Sequence, residues 1–370
     1  MQLTVTAKLK INPTEEQQQK LLRTFSAYRA GCNAVSETVF LTHQLQQPVL
    51  HRLTYEVLRE DWGLKSQMAQ SVMKTVIARY KTNQSNGHPW TRVKFKRPEY
   101  DLVWNRDYSL VKGLFSVNTL EGRIKVPFET KGMEHYFRGK WSFGTAKLVY
   151  KHGKFFLHIP MTKEVEEAEL SAIREVVGVD LGVNFLATTF DSKRKTLFFN
   201  GRKAKHKRAH FKALRKQLQQ KQTPSARRRL KQIGQRENRW MSDVNHSVSK
   251  ALVDSYGKNT LFVLEELTGV RQATERVHIH QRYQTVSWAF YQLRQMITYK
   301  AQLRGAKVIA VDPKYTSQMC PMCGHTAKEN RNKKKHLFCC QNCRYQSNDD
   351  RIGGMNLQRL GIQYIAEETA

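Results

Sequence analysis

Four acidic residues sit where a carboxylate is either costly or electrostatically directed. Asp180 closes an apolar run in Gly178-Val179-Asp180-Leu181-Gly182, and Glu265 closes Leu261-Phe262-Val263-Leu264 in the same way. A charge at the end of a buried strand is expensive unless it is paired or bound to metal. Asp349 and Asp350 open a helical stretch, where the dipole favours an acid in the first turn. Singly, each has a plain explanation: an ion pair for Asp180, solvent for Glu265, a helix cap for Asp350. Together, hard oxygen donors drawn from remote sequence without histidine or cysteine suit Mg²⁺ or Mn²⁺. Two such ions about 4 Å apart can hold an in-line displacement at a phosphodiester.

A second donor set is local. Cys320-Pro-Met-Cys323 and Cys340-Gln-Asn-Cys343 are separated by 16 residues, within the spacing range of a four-cysteine zinc ribbon. Five of the six cysteines lie between 320 and 343, so a metal site in a reducing compartment is expected rather than a disulfide framework. Cys339 is read as a free thiol. His325 and His336 could substitute as ligands, but two well-spaced pairs make that unnecessary. The arm from Lys328 to Lys335 is polar and basic, so metal binding is expected to supply the folding energy of this segment.

The charge balance names the partner class. The chain has 370 residues with 63 Lys or Arg against 31 Asp or Glu, a net charge of +32. That excess predicts a densely negative partner, nucleic acid first. At 40% hydrophobic and 10% aromatic residues the chain is neither disordered nor fibrous. No stretch approaches the roughly 18 apolar residues of a spanning helix, and MQLTVTAKLK is no signal peptide, so a soluble intracellular protein is expected. No phosphate-binding glycine loop is present, which argues against nucleotide-driven motor activity.

The elements that must position these residues read as follows. Residues 1–10 alternate as a strand, and Asn12-Pro13-Thr14 followed by Glu15 and Glu16 starts a helical region reaching about Lys81. Short alternating runs then predict strands at Arg92–Phe95, Leu114–Val117, Arg123–Val126, Ala146–Tyr150 and Phe155–Ile159. With the first strand they predict a β-barrel into which the helices are inserted. After an acidic linker, Glu164–Glu169, come three hairpin strands (Val176–Leu181, Phe185–Phe190, Thr196–Phe199) and two basic helices (Arg202 to about Gln220, Ser225 to about Tyr256). A strand at Leu261–Glu265, a helix from about Gln281 to Leu303, a strand at Lys307–Val311 and a last helix from near Asp350 follow. This is the element order of a ribonuclease H-like α/β fold, in which the three carboxylates would converge.

On the second basic helix Arg236, Arg239, Asp243, His246 and Lys250 fall at offsets 0, 3, 7, 10 and 14, hence on one face. That face could follow a phosphate backbone or be a solvated face with intrahelical pairs. Residues 202–216 hold eight Lys or Arg and no acid, a density best tolerated against a polyanion.

Gly178–Gly182, the VLEEL around Glu265, PKYTSQMCPMCG from Pro313, the CQNC knuckle, the ending from Asp350 to Asn356 and the opening NPTEEQ with Arg29 and Asn33 together resemble the TnpB family. These are RNA-guided nucleases of insertion sequences, related to type V CRISPR effectors. The resemblance runs over essentially the whole chain. It implies a wedge-type barrel at 1–10 and 88–165, a helical recognition domain at 11–87, a RuvC-like nuclease domain at 170–315 and 347–370, and a zinc ribbon at 316–346. It assigns catalysis and Mg²⁺ (or Mn²⁺) binding to Asp180, Glu265 rather than Glu266, and Asp350 rather than Asp349, and Zn²⁺ to Cys320, Cys323, Cys340 and Cys343. Where the family has Asn-Ala-Ala after the last motif, this chain has Ile352-Gly353-Gly354, which would weaken the helix start.

The implied partners are a guide RNA from the element's own end and double-stranded and single-stranded target DNA, bound by a monomer with RNA. The implied setting is the prokaryotic cytoplasm, at the nucleoid, with no membrane partner. Gln70, Ser71 and Lys74 align loosely with residues that read a target-adjacent motif. The alternatives are a compact type V effector with array-derived guides, a non-cleaving RNA-guided DNA-binding regulator, and a strand-joining transposase.

Overall fold

The protein is described by a computed structural model for residues 1–97, 99–266, 288–333 and 335–369, which divides into two units at Glu164 and Val165. In the first unit, β1 (Gln2–Ile11) leads into α1 (Glu15–Thr42), α2 (Gln47–Glu60) and α3 (Ser66–Ser85). Thr14 starts α1 with a full capping box: its hydroxyl accepts from Gln17 N while the Gln17 side chain accepts from Thr14 N.

The rest of the unit is antiparallel: β2 (Glu99–Leu102), β3 (Tyr108–Val111), β4 (Leu114–Thr119), β5 (Gly122–Glu129), the short helix α4 (Glu134–Arg138), β6 (Ser142–Phe143), β7 (Ala146–Lys151) and β8 (Lys154–Glu164). The order β2-β7-β8-β1-β5-β4-β3 places β2 and β3 at opposite ends. Only residues 103–107 separate them in sequence, and Tyr100 Oη donates to Asn118 O across the gap at 2.9 Å, so the sheet rolls back on itself. Helices and sheet share one core, with Leu9, Phe25, Tyr28, Val72, Tyr100, Phe115 and Leu157 all buried. The helical insertion is thus part of the barrel's unit.

The alternation at Arg92–Phe95 is extended chain and not a strand. Its backbone is satisfied by helix side chains: Asn33 exchanges two hydrogen bonds with Phe95, Ser36 Oγ donates to Val93 O, and Val93 N donates to Tyr80 Oη.

The second unit carries a five-stranded sheet of β9 (Glu175–Asp180), β10 (Phe185–Phe190), β11 (Thr196–Asn200), β12 (Thr260–Glu265) and β13 (Lys307–Val311) in the order β11-β10-β9-β12-β13. The first three form the expected antiparallel meander, while β12 runs parallel to both β9 and β13. One face is covered by α7 (Arg236–Tyr256) and α8 (Trp288–Leu303), which bury Val177, Val179, Phe262 and Leu264. The other face takes α9 (Asp349–Thr369), with Leu357 against Val176, Leu261 and Val263.

The second basic stretch is two helices, α6 (Pro224–Ile233) and α7, following α5 (Arg202–Lys221). Gly234 at φ 45° breaks it, a conformation that disfavours any other residue. Thr223 caps α6 through Ala226 N, with Pro224 in the first turn. The expected start of α8 near Gln281 lies outside the described residues. Between β13 and α9, β14 (Arg331–Asn332), β15 (Leu337–Cys339) and β16 (Gln346–Asn348) form a small antiparallel sheet beside the cysteines. Among the described residues no helix is long and apolar enough to cross a membrane.

Candidate functional site

Parallel pairing of β9 and β12 sets Leu264 opposite Val179, so the next residues, Glu265 and Asp180, leave neighbouring strands on the same face. That face is the one α9 covers. The helix comes to backbone contact: a Cβ on Gly178 would lie 2.0 Å from Gly354 O, and one on Gly353 would lie 2.9 Å from Asp180 Cγ. The glycine pair that looked like a weak helix start brings Asp350, at the head of α9, to the strand that carries Asp180.

Glu265 and Glu266 have different fates. Glu265 Oε1 accepts from Thr316 Oγ1 at 2.7 Å. Glu266 forms a two-point ion pair with Arg294, at 2.7 and 2.9 Å. The adjacent aspartates separate as well. Asp349, 1% exposed, accepts from Arg331 Nε at 2.9 Å, whereas Asp350 has Arg331 no nearer than 3.7 Å; each keeps one buried oxygen, Asp349 Oδ1 and Asp350 Oδ2, without a hydrogen-bond partner.

Burial pushes Asp180 well above the usual carboxylate range, and the nearby negative charges of Glu265 and Asp350 add to it. Glu265 is raised by burial against the pull of the Thr316 hydrogen bond and Arg331. Asp350 is raised by burial and by the charge of Asp349. A group of carboxylates that repel one another, with two orphaned acceptors on Asp349 and Asp350, fits divalent cations held by hard oxygen ligands.

The four cysteines form a tighter cluster. The Sγ atoms of Cys320, Cys323, Cys340 and Cys343 all lie within 4.8 Å of one another, with Cys320 3.6 Å from Cys343 and Cys323 3.6 Å from Cys340. Tetrahedral Zn–S bonds of about 2.3 Å separate sulfurs by about 3.8 Å, so the set fits zinc. Among the described residues it is the one group of three or more such side chains gathered this closely. Asn330, 1% exposed, ties the two knuckles together by donating to Gln318 O and His325 O and accepting from Gln341 N. Asn356 of α9 donates to Thr316 O and Met319 O, joining the segment that orients Glu265 to the first knuckle. Cys339 is half-buried and outside the cluster.

Two family models match this chain: residues 158–270 match OrfB_IS605, described as a probable transposase, and residues 290–357 match the Cas12f1-like TNB domain. A TnpB-like protein of Methanocaldococcus jannaschii is 26% identical over 62% of this chain and 82% of its own length. The chain is thus similar to proteins of the TnpB family. Type V effectors are also related: the CRISPR-associated endodeoxyribonuclease Cas12f1 of Syntrophomonas palmitatica is 28% identical over 70% of this chain and 55% of its own. The putative RNA-guided DNA endonuclease InsQ of Escherichia coli is 29% identical over 58% and 56%. The chain thus spans little more than half the length of these two relatives. A solved Cas12f1–sgRNA–target DNA complex aligns with 96% of the chain and 99% of its own at a TM-score of 0.60 and 11% identity, a likeness of fold.

The candidate nucleic-acid residues of this TnpB-like chain are placed as follows. Arg236, Arg239, Asp243, His246 and Lys250 line the exposed face of α7, opposite buried Glu237, Met241, Asn245 and Ser249. In the other unit Lys74 is exposed and Gln70 half-buried on α3, while Ser71 is 4% exposed, so its side chain faces the core. Sequence reasoning missed Thr316, which orients Glu265, and Arg331, which holds Asp349. Nothing in a basic arm marks one arginine as special, but Thr316 follows the strand that neighbours β12, a signal that was available.

Proposed function

We propose that this chain is an RNA-guided DNA endonuclease of an insertion sequence, cleaving guide-complementary DNA beside a short target-adjacent motif. The observation that carries the reading is the approach of Asp180, Glu265 and Asp350 at one end of the sheet, on two adjacent strands and a helix seated against them. Mg²⁺ ions held by these carboxylates would activate a water and stabilise the leaving oxygen of the phosphodiester. The residues themselves do three things. Thr316 fixes Glu265 by its hydroxyl. Arg331 lies closer to Asp349 than to Asp350, at 2.9 against 3.7 Å, which leaves Asp350 the less engaged of the two. Gly353 leaves room for the Asp180 carboxyl, which a Cβ at that position would meet at 2.9 Å.

In this reading the four thiolates hold a structural zinc, the first unit combines a wedge-type barrel with a helical recognition element, and the sequence of the target is read by base pairing. The likeness to Cas12f1 favours, as a second reading, a compact type V effector that takes its guides from a repeat array.

The test is cleavage of a plasmid library with randomised sequence beside a guide-matched target, by protein copurified with RNA from its native flanking DNA. Cuts that need RNA, Mg²⁺ and Asp180 support the nuclease and reveal its motif. Guided binding without cuts overturns it in favour of an RNA-guided binder. Cuts directed only by array-derived guides favour the second reading.

A further inference from the structure

One row of residues across the second unit's sheet faces the head of α9. Gly178 of β9 stands opposite Phe190 of β10, and Phe190 stands opposite Thr196 of β11. Directly opposed residues share a face of the sheet, and each member of this row meets the helix. Gly354 O rests on Gly178, a Cβ on Gly354 would lie 3.3 Å from Phe190 Cβ, and Thr196 Oγ1 accepts from Arg351 Nε at 3.0 Å. Glycines bring the helix down on the inner strand, and Arg351 ties it to the outer one.

Arg351 follows Asp350 directly, yet its side-chain partners among the described residues are neutral. Besides Thr196, its Nη1 donates to Ser347 Oγ at 3.3 Å and to Tyr345 Oη at 3.5 Å, and its guanidinium carbon lies 5.4 Å from the centre of the Phe190 ring. Ser347 belongs to β16, and Tyr345 lies two residues beyond Cys343, with its carbonyl accepting from Cys340 N. One planar fork therefore joins two strands of the large sheet to the cysteine-bearing segment. Its use here is one of shape: fixed donor directions and a flat face hold such a set where a flexible ammonium does not. Asn348 supplies a second hold. Standing before α9, its Oδ1 accepts from Asp350 N at 3.0 Å and from Arg351 N at 3.2 Å, the bonding of an N-cap. The helix start that Gly353 and Gly354 weaken is thus set from outside the helix.

We propose that Arg351 is the positioning residue of Asp350: by pinning the first turn of α9 to the outer strands and to the cysteine-bearing segment, it fixes where that carboxylate can meet a divalent ion. It acts through Asp350 and not on the substrate. The same fork gives the cysteine-bearing segment a direct hold on the carboxylate site, separate from the one through Asn356. The proposal rests on the place of Asp350 as a metal ligand in the proposed function, and it is read by metal binding as well as by cleavage.

The test is Mn²⁺ binding by electron paramagnetic resonance, beside the Mg²⁺ dependence of guided cleavage, on the full zinc-loaded chain. Arg351→Ala should raise the half-saturating concentration about tenfold in both readouts, with zinc content and guided DNA binding in EDTA unchanged. Arg351→Lys keeps the charge but loses the fork, and should not restore the parent's value. Thr196→Val removes one hydroxyl from a strand 155 residues away in sequence. It should shift half-saturation about threefold in the same direction and add nothing to Arg351→Ala, since both changes break one interaction. Thr196→Val carries the test alone if Arg351→Ala does not fold. Unchanged half-saturation, full recovery in Arg351→Lys, or additive effects of the two changes overturn the proposal. Weaker guided DNA binding at unchanged half-saturation also overturns it, and makes Arg351 a phosphate contact. Mn²⁺ binding that weakens as expected in a chain whose parent never cleaves refutes the nuclease alone. Cleavage by the parent with a metal dependence that Arg351→Ala leaves untouched refutes the positioning role alone.

Discussion

The two candidate metal sites of the second unit are built on opposite principles. The four cysteines come from 24 consecutive residues, are already gathered within 4.8 Å, and share, among the described residues, only a small core of Phe338 and the helix residue Ile352 flanked by Tyr345 and Met355. The carboxylates come from positions 180, 265 and 350, repel one another, and are carried by one of the best-packed parts of the molecule. On the proposed reading an ion would make the fold at the first site. In the second the fold makes the site and bears an electrostatic cost for it.

The comparison can be broken most sharply at its most buried charge. Asp180→Asn should lower guided cleavage at least about 1,000-fold, about 4 kcal/mol of barrier, while zinc content measured by elemental analysis stays near one ion per chain. If cleavage survives, the carboxylates are not its metal ligands. Glu265→Gln should behave alike, but Glu266→Gln, removed from the site by Arg294, should change the rate by less than about threefold.

Cys340→Ser should do the reverse in order of cause: zinc is lost first, the knuckles unfold, and cleavage falls roughly a hundredfold because Asn356 and Arg331 lose their anchors. Limited proteolysis should then cut first between 316 and 346. An intact, zinc-loaded ribbon in this variant would contradict the thiolate assignment.

Thr316→Val tests the seam between the sites. Loss of one hydroxyl to a carboxylate should cost about 1.5 kcal/mol, roughly tenfold in rate, with both metal contents unchanged. A larger loss accompanied by zinc release would make Thr316 part of the ribbon's fold instead.

The smallest effect is on stability. In the metal-free fold Asp180, Glu265 and Asp350 all titrate above their ordinary range, so the folded state keeps protons that the unfolded chain releases. Stability is then greatest below the unfolded carboxylate pKa near 4 and falls as pH rises through the raised folded values. Asp180→Asn should remove part of that fall. Its melting temperature should match the parent at about pH 4 to 5 and exceed it by roughly 2–4 °C at neutral pH without divalent ions, a gap that Mg²⁺ closes. An equal gap at both pH values would show that the repulsion is absent.

Legibility in the sequence followed the same division. The cysteine pairs announce themselves because spacing alone sets knuckle geometry. Asp180 and Glu265 were visible as charges ending apolar strands, and the meander followed from run length and turns, while the place of the fourth strand came only from the element order. Choosing Glu265 over Glu266 and Asp350 over Asp349 from the residues alone was beyond periodicity, since the choice is made by Arg294 and Arg331, partners 28 and 18 residues away. Residues 92–95 alternate as a strand does because any extended chain alternates, and only the position of α1 decides that Asn33 and Ser36 satisfy that backbone instead of a neighbouring strand. Gly353 and Gly354 were misread for a related reason: propensity scores a helix in isolation, while here the missing side chains let two backbones touch.

That contact has a mechanical consequence. A helix resting on side chains can ride up or down as rotamers change, but Gly354 O of α9 sits directly on Gly178 of β9, and a peptide plane has no rotamers. The span between Asp180 and Asp350 is therefore clamped by main chain on both banks. Mg²⁺ bonds to oxygen at about 2.0–2.1 Å and Ca²⁺ at about 2.3–2.6 Å, so on the proposed reading any adjustment to the size of an ion would fall to the carboxylate side chains, not to the backbones that carry them. The frame on which those side chains stand is in that sense a matter of carpentry, cut by glycines that carry no ligand themselves.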